Sequence, residues 1–137
     1  MTQEHRTTQG VQQTIRNLIE AGTSFDVAQL DVIYHKDLQV LMIDEKGEKM
    51  MADKDAFKNL FKAKKEQGES PLNTWAEFNH IETNGNKGHV IVTRKVNLTG
   101  EERKLVLSID LVWEANRWQV TREVIFSRPL DKLVEVN

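Results

Sequence analysis

The stretch Trp75–Phe126, WAEFNHIETNGNKGHVIVTRKVNLTGEERKLVLSIDLVWEANRWQVTREVIF, decides the fold. Apolar and polar residues alternate along four segments, separated by Asn84-Gly-Asn-Lys-Gly88, Thr99-Gly-Glu-Glu102 and Ala115-Asn116. Alternation marks strands with one buried face, and the separators carry residues that hairpin turns favour. The segments therefore read as an antiparallel meander. A tight turn at Ala115-Asn116 sets Trp113 opposite Trp118, Leu111 opposite Val120 and Ile109 opposite Arg122. Pairing across Gly100-Glu101 sets Val96 opposite Leu105 and Arg94 opposite Leu107. Pairing across Gly85-Asn86 sets Ile81 opposite Val90, Asn79 opposite Val92 and Glu77 opposite Arg94. Strict period-two pairing then places Glu77, Asn79, Arg94 and Arg122 on a face that is otherwise apolar. A single bulge in any strand would flip part of this map.

Upstream, the period changes to that of helices. Val11, Ile15, Leu18 and Ile19 form one stripe, with Thr7 or Thr8 placed to cap its start and Gly22 to end it. A shorter helix follows, capped by Ser24 or Asp26, with Val27, Leu30, Ile33 and Tyr34 facing inward. Leu38–Ile43 reads as a strand and Asp44-Glu-Lys-Gly47 as the turn after it. Asp53 caps a third helix whose apolar side is Phe57, Leu60 and Phe61, and Gly68 stops it. Glu69-Ser-Pro71 resembles a linker but is too short to divide two domains.

With 137 residues, 39% hydrophobic and 29% charged, the chain is expected to form one soluble domain over 1–137, its core at about 11–129. The net charge of −2 gives no basic field of the kind nucleic acid selects, so no nucleic-acid partner is expected. The absence of cysteine excludes disulfides, thiolate catalysis and zinc–thiolate sites. No run is long and apolar enough for a membrane span, and the polar first ten residues lack a secretory core. A cytoplasmic protein with no membrane partner is expected.

Leu30-Asp-Val-Ile-Tyr-His-Lys-Asp-Leu38 resembles the helix-to-strand segment of the nuclear transport factor 2-like superfamily. Asp53-Lys-Asp-Ala-Phe57 is similar to the start of that family's third helix. Leu111–Arg122, with Trp118 and Val120, resembles its closing hairpin, and Ser127-Arg-Pro129 its exit from the last strand. Helices with a short strand pair among them, then a long meander, is also the family's order. The resemblance covers about Val11 to Pro129. It implies an α+β, cystatin-like, cone-shaped fold, with N-terminal helices packed on a strongly curved antiparallel sheet around a pocket. The same fold carries ketosteroid isomerase, scytalone dehydratase, limonene epoxide hydrolase, polyketide cyclases and non-catalytic binding domains, so it does not define the chemistry.

Glu77, Asn79, Arg94 and Arg122 are the first candidate ligand-binding set, since arginine forks bind carboxylates and phosphates. The plainer reading is a Glu77–Arg94 cross-strand ion pair with Arg122 in solvent. Trp75 is placed near the ligand, and Tyr34, His35 and Asp37 at the rim of the expected pocket, with Tyr34 and Trp75 counted among the candidate ligand-binding residues. His35 and Glu77 are the candidate general bases, because histidine titrates near neutrality and a carboxylate can take a proton. Against this, Tyr34 closes an apolar stripe and Asp37 can cap the turn. Asp110 faces away from the pocket beside Ser108 and Thr121. A register slip would bring it in, but a single tyrosine argues against an isomerase constellation. Trp113 and Trp118 are read as core or interface residues, and His80 and His89 as solvated histidines. No metal and no cofactor are expected.

The function expected is a small-molecule-binding domain, with a non-catalytic pocket for a small anionic or polar ligand. The alternatives are a cofactor-free lyase, isomerase or hydrolase, and a structural dimerisation module. Ile91, Val106, Val112 and Ile125 on the outer sheet face suggest a homodimer through that face.

Overall fold

The computed structural model describes residues 6–97 and 101–130. Thr7 caps α1 (Thr8–Thr23) by accepting from the Gly10 N–H at 3.1 Å. Gly22 does not end the helix. The chain continues to Thr23, Ser24 closes the last turn on the Glu20 carbonyl, and Phe25 takes the left-handed φ of 58°. Asp26 caps α2 (Val27–Ile33) by accepting from Gln29 N–H. Tyr34, expected on this helix, instead begins β1 (Tyr34–Ile43).

After β1, Asp44 Oδ1 accepts from the N–H groups of Lys46 and Glu48, both at 2.9 Å, and Gly47 has φ 80°. This turn leads into β2 (Lys49–Asp53), whose last residue caps α3 (Lys54–Glu66) through the Ala56 N–H. Gly68 at φ 71° ends the helical course. Four strands follow: β3 (Ala76–Asn84), β4 (Lys87–Val96), β5 (Arg103–Glu114) and β6 (Arg117–Pro129). The turn expected at Thr99–Glu102 lies partly outside the described residues.

The six strands form one open sheet in the order β2-β1-β6-β5-β4-β3. Every pairing is antiparallel except β1 with β6, so the sheet is mixed. One sheet face receives the helices. Val11, Ile15 and Leu18 of α1 and Phe57 and Phe61 of α3 pack with Val90, Val92, Ile109, Val120 and Ile125 of the strands. Each such side chain taken from water contributes roughly 1.5–3 kcal/mol. Asp31 of α2 accepts ion pairs from Lys54 and Lys58 of α3 at 3.2 and 2.6 Å.

The expected registers hold near the β3–β4 and β5–β6 turns and fail away from them, and the β4–β5 register is displaced along its whole length. Trp113 faces Trp118, Leu111 faces Val120 and Ile81 faces Val90, as expected. Ala115 and Asn116 both take positive φ, 56° and 61°, in the tight turn between β5 and β6. One residue further along β6, Thr121 is extra, so Asp110 pairs with Arg122 and Ile109 with Glu123. The Thr121 hydroxyl donates to the Asp110 carbonyl at 3.2 Å and anchors this bulge. In β3, Asn79 is extra, so Phe78 faces Val92 and Ala76 faces Arg94. Between β4 and β5 the expected register is off by two residues: Arg94 faces Leu105, not Leu107, and Val96 faces Arg103. A shift of two leaves the faces unchanged, whereas each bulge inverts them. Ile125, expected outside, is therefore core, and its neighbours Val124 and Phe126 face outward.

Gly88 of β4 lies where Val11 of α1 presses on the sheet. A Cβ there would lie 3.0 Å from Val11 Cγ2 and 3.4 Å from Trp118 Cζ3. Gly88→Val should lower stability by about 1–3 kcal/mol through overpacking of that seam, measured as the urea midpoint at constant m. An unchanged midpoint would place α1 elsewhere.

Candidate functional site

The two bulges determine what the helix-facing side of the sheet carries. With Thr121 inserted, Glu123 points inward from β6 and only 2% of it is exposed. Arg94, at an inward position of β4, is 8% exposed, and Tyr34 at the start of β1 is 3% exposed. These side chains line a cavity of about 60 Å³ between α1, α3 and the sheet. The remaining wall is largely apolar, with Leu18, Phe57, Phe61, Val92 and Ile109 prominent.

A buried ionisable group is costly unless its charge is balanced or its polar atoms are satisfied. Arg94 meets this requirement through main-chain carbonyls. Its Nε donates to Trp75 O at 2.8 Å and its Nη2 to Asn73 O at 2.6 Å. Burial still pulls the guanidinium down to about 10, partly opposed by the negative charge of Glu123. It remains a cation at neutral pH. Glu123 is less well provided for. Burial drives its carboxyl up to about 7, against the hydrogen bond from Tyr34 and the charge of Arg94. Its Oε2 is fully enclosed and has no hydrogen-bond partner among the described residues. The Tyr34 hydroxyl is pushed well above its ordinary value by its own burial and by the neighbouring carboxyl.

The segment between α3 and β3 closes over this cavity. Leu72 joins the cavity wall and donates its N–H to Thr23 O at 2.9 Å. Arg94 holds the next part of the same segment through Asn73 and Trp75. One guanidinium therefore borders the cavity and fixes the loop that covers it.

Of the residues expected to form the site, the structure brings Tyr34 and Arg94 together. Glu77, Asn79 and Arg122 are exposed and belong to the outer side, because the bulges at Asn79 and Thr121 invert their strands. Asn79 instead accepts from the Thr93 hydroxyl at 2.7 Å. Trp75 is 42% exposed, with Lys95 Nζ 4.6 Å from its ring centroid. His35 is buried but outside the cavity. Its Nδ1 accepts from the Asp37 N–H at 3.0 Å and its Nε2 lies 3.3 Å from Glu114 Oε2. That geometry gives the ring a bracing role between β1 and the β5–β6 hairpin. On the outer face, as expected, Asp110 meets His89 Nδ1 at 2.7 Å. Glu123 was not among the expected residues. Its signal was Val124-Ile-Phe126, an apolar run that reads equally well in either phase.

No protein-family model matches the chain, and no curated protein does. Solved structures do. A nuclear transport factor 2-like protein of unknown function from Silicibacter pomeroyi superposes with a TM-score of 0.74 at 16% identity, over 93% of this chain and 99% of that one. A similar protein of unknown function from Shewanella baltica gives 0.71 at 11% identity, over 88% and 93%. A nuclear transport factor 2-like protein from Cytophaga hutchinsonii gives 0.69 at 17% identity, over 87% and 96%. The chain has the nuclear transport factor 2-like fold.

The Glu123 environment sets a pH dependence with a defined sign. Its folded value of about 7 lies above the ordinary 4.5, so the native state holds the proton more tightly than the unfolded chain. The favourable contribution is complete below about pH 4.5 and is lost as pH rises towards 7. The loss amounts to about 3 kcal/mol. Glu123→Gln removes this titration. Its unfolding free energy should match wild type near pH 4.5 and exceed it increasingly up to pH 8, read from paired urea melts. Glu77→Ala, at an exposed position, should stay within about 0.5 kcal/mol of wild type in the same melts.

Proposed function

We propose that the chain is a single-domain small-molecule-binding protein whose site is the Tyr34–Arg94–Glu123 cavity. The observation that carries this reading is Glu123 Oε2, an enclosed carboxyl oxygen without a partner at the wall of a cavity. A core built only for stability gains nothing from that atom, because an unsatisfied buried acceptor costs about 1–3 kcal/mol. A bound molecule with a polar or anionic group would satisfy it. Phe57 and Phe61 narrow the cavity to the size of a small compound, while Trp75 stays outside it, which favours an open site over a fully packed one.

Cofactor-free acid–base chemistry is the second reading, and the same carboxyl favours it. A group titrating near neutrality in an apolar enclosure is suited to taking or giving a proton. In that reading Glu123 replaces His35 and Glu77 as the base.

The outer sheet face supports a homodimer. Leu41, Ile91, Val106, Val112 and Val124 are half-buried there, and Phe126 is 39% exposed. A second copy would cover this apolar band. Among the described residues no helix is long and apolar enough to cross a membrane, and a cytoplasmic location fits the composition.

Native mass spectrometry of freshly purified protein tests the ligand reading. A small molecule should remain bound and be released on denaturation. A bare polypeptide mass, together with no stabilisation by any of a panel of small organic acids, alcohols and amides, would reject it. Light scattering at micromolar concentration should give twice the chain mass, and a monomer would reject the dimer.

A further inference from the structure

We propose that the cavity binds a short-chain aliphatic monocarboxylate, its carboxylate lodged between Arg94 and a protonated Glu123 that donates through Oε2. This inference rests on the cavity being a ligand site and names the ligand's chemistry. From β1 Glu123 meets Tyr34, and from β4 it meets Arg94. The parts of α1 and α3 that line the cavity bring apolar side chains, Gly22 and Thr23. The charged groups in play are therefore one guanidinium and one carboxyl.

With Glu123 protonated, the cavity holds one positive charge and an O–H donor. Arg94 spends two of its N–H donors on Asn73 and Trp75, which leaves donors for an incoming acceptor. The complement of a cation beside an O–H donor is a monoanionic acceptor with two oxygens. A carboxylate takes a charge-assisted bond from Arg94 and a second bond from Glu123 Oε2. Both cavity groups are then satisfied. A neutral alcohol would instead donate to Oε2 of the ionised carboxylate, with Arg94 and Glu123 balancing each other, so its binding would strengthen as pH rises, the opposite of a carboxylate's. The apolar wall of Leu18, Phe57, Phe61 and Val92 suits a hydrocarbon tail, and the volume of about 60 Å³ keeps it short.

Binding of this kind takes up a proton when Glu123 starts ionised. With the carboxyl titrating at about 7, the competent fraction falls about tenfold from pH 6 to pH 8. The ligand carboxylate is ionised at both values, so the change belongs to the protein.

Isothermal titration of the full chain with butyrate, beside n-butanol and butyramide, tests this. Buffers of differing ionisation heat count the protons. Butyrate should bind about tenfold more weakly at pH 8 than at pH 6, with uptake of about one proton at pH 8. The two neutral analogues should bind more weakly than butyrate. Glu123→Gln, whose amide can still donate, should bind butyrate with no pH dependence and no proton uptake. Arg94→Met should lose butyrate binding. If that variant does not fold, Glu123→Gln decides alone. No butyrate binding at pH 6, or tighter binding of a neutral analogue, overturns the proposal, as does pH dependence that persists in Glu123→Gln. A retained molecule in native mass spectrometry alongside failure of butyrate would leave the ligand site standing and remove only the carboxylate.

Discussion

Strand β6 pairs in parallel with β1 on one side and antiparallel with β5 on the other, so its register fixes both halves of the sheet. An extra residue in such a strand inverts every side chain beyond it. Thr121 is that residue, and its hydroxyl bond to the Asp110 carbonyl holds the distortion in place. Beyond it, Glu123, Ile125 and Ser127 face the helices, while Arg122, Val124 and Phe126 face outward. Pairing with β1 is displaced at the same level, between Tyr34 and Gln39. The two irregularities together set Tyr34 and Glu123 at the wall of one cavity.

Arg94 carries the second half of that arrangement. A guanidinium withdrawn from water needs acceptors, and here they come from Asn73 and Trp75 in the segment between α3 and β3. Backbone carbonyls of a connecting segment ordinarily face water. By accepting from a buried cation they draw the segment inward, where Leu72 reaches the cavity and ties to the end of α1. Closure of the cavity and electrostatic balance within it thus depend on the same side chain.

Local chemistry was legible in the sequence, and long-range phase was not. Thr7, Asp26 and Asp53 act as caps because each offers a side-chain oxygen to an N–H a few residues on. Asp44, Gly85 and Asn116 act in turns for equally local reasons. Arg94 was placed on the correct face even though its partner strand was misregistered by two, since even shifts preserve sides. Glu77, Asn79 and Arg122 were misplaced because a bulge is selected by packing across the sheet. Turning Phe78 inward brings its ring under the Arg16 guanidinium at 5.0 Å and leaves two polar side chains in water. Only the assembled layers reveal that contact. Gly22 failed as a helix stop for a related reason: the chain bends at Phe25, whose side chain is buried in the core.

The arrangement also separates what holds the fold from what the fold holds. The apolar side chains of Val11, Ile15, Val90, Val92 and Val120 form the core of the fold. Replacing a buried ionic cluster by well-packed apolar side chains of similar volume is often neutral or stabilising. Tyr34, Arg94 and Glu123 therefore weigh against the native state whenever Glu123 must ionise, and its unpaired oxygen adds to that burden. A protein keeps stability only marginally above what it needs, so a liability of this size at the wall of a cavity is informative. The burden is lifted only when a proton or a bound molecule completes the coordination of that oxygen. The apolar seam between α1 and the sheet holds the fold, and the cost of the polar trio is what the proposed ligand site would explain.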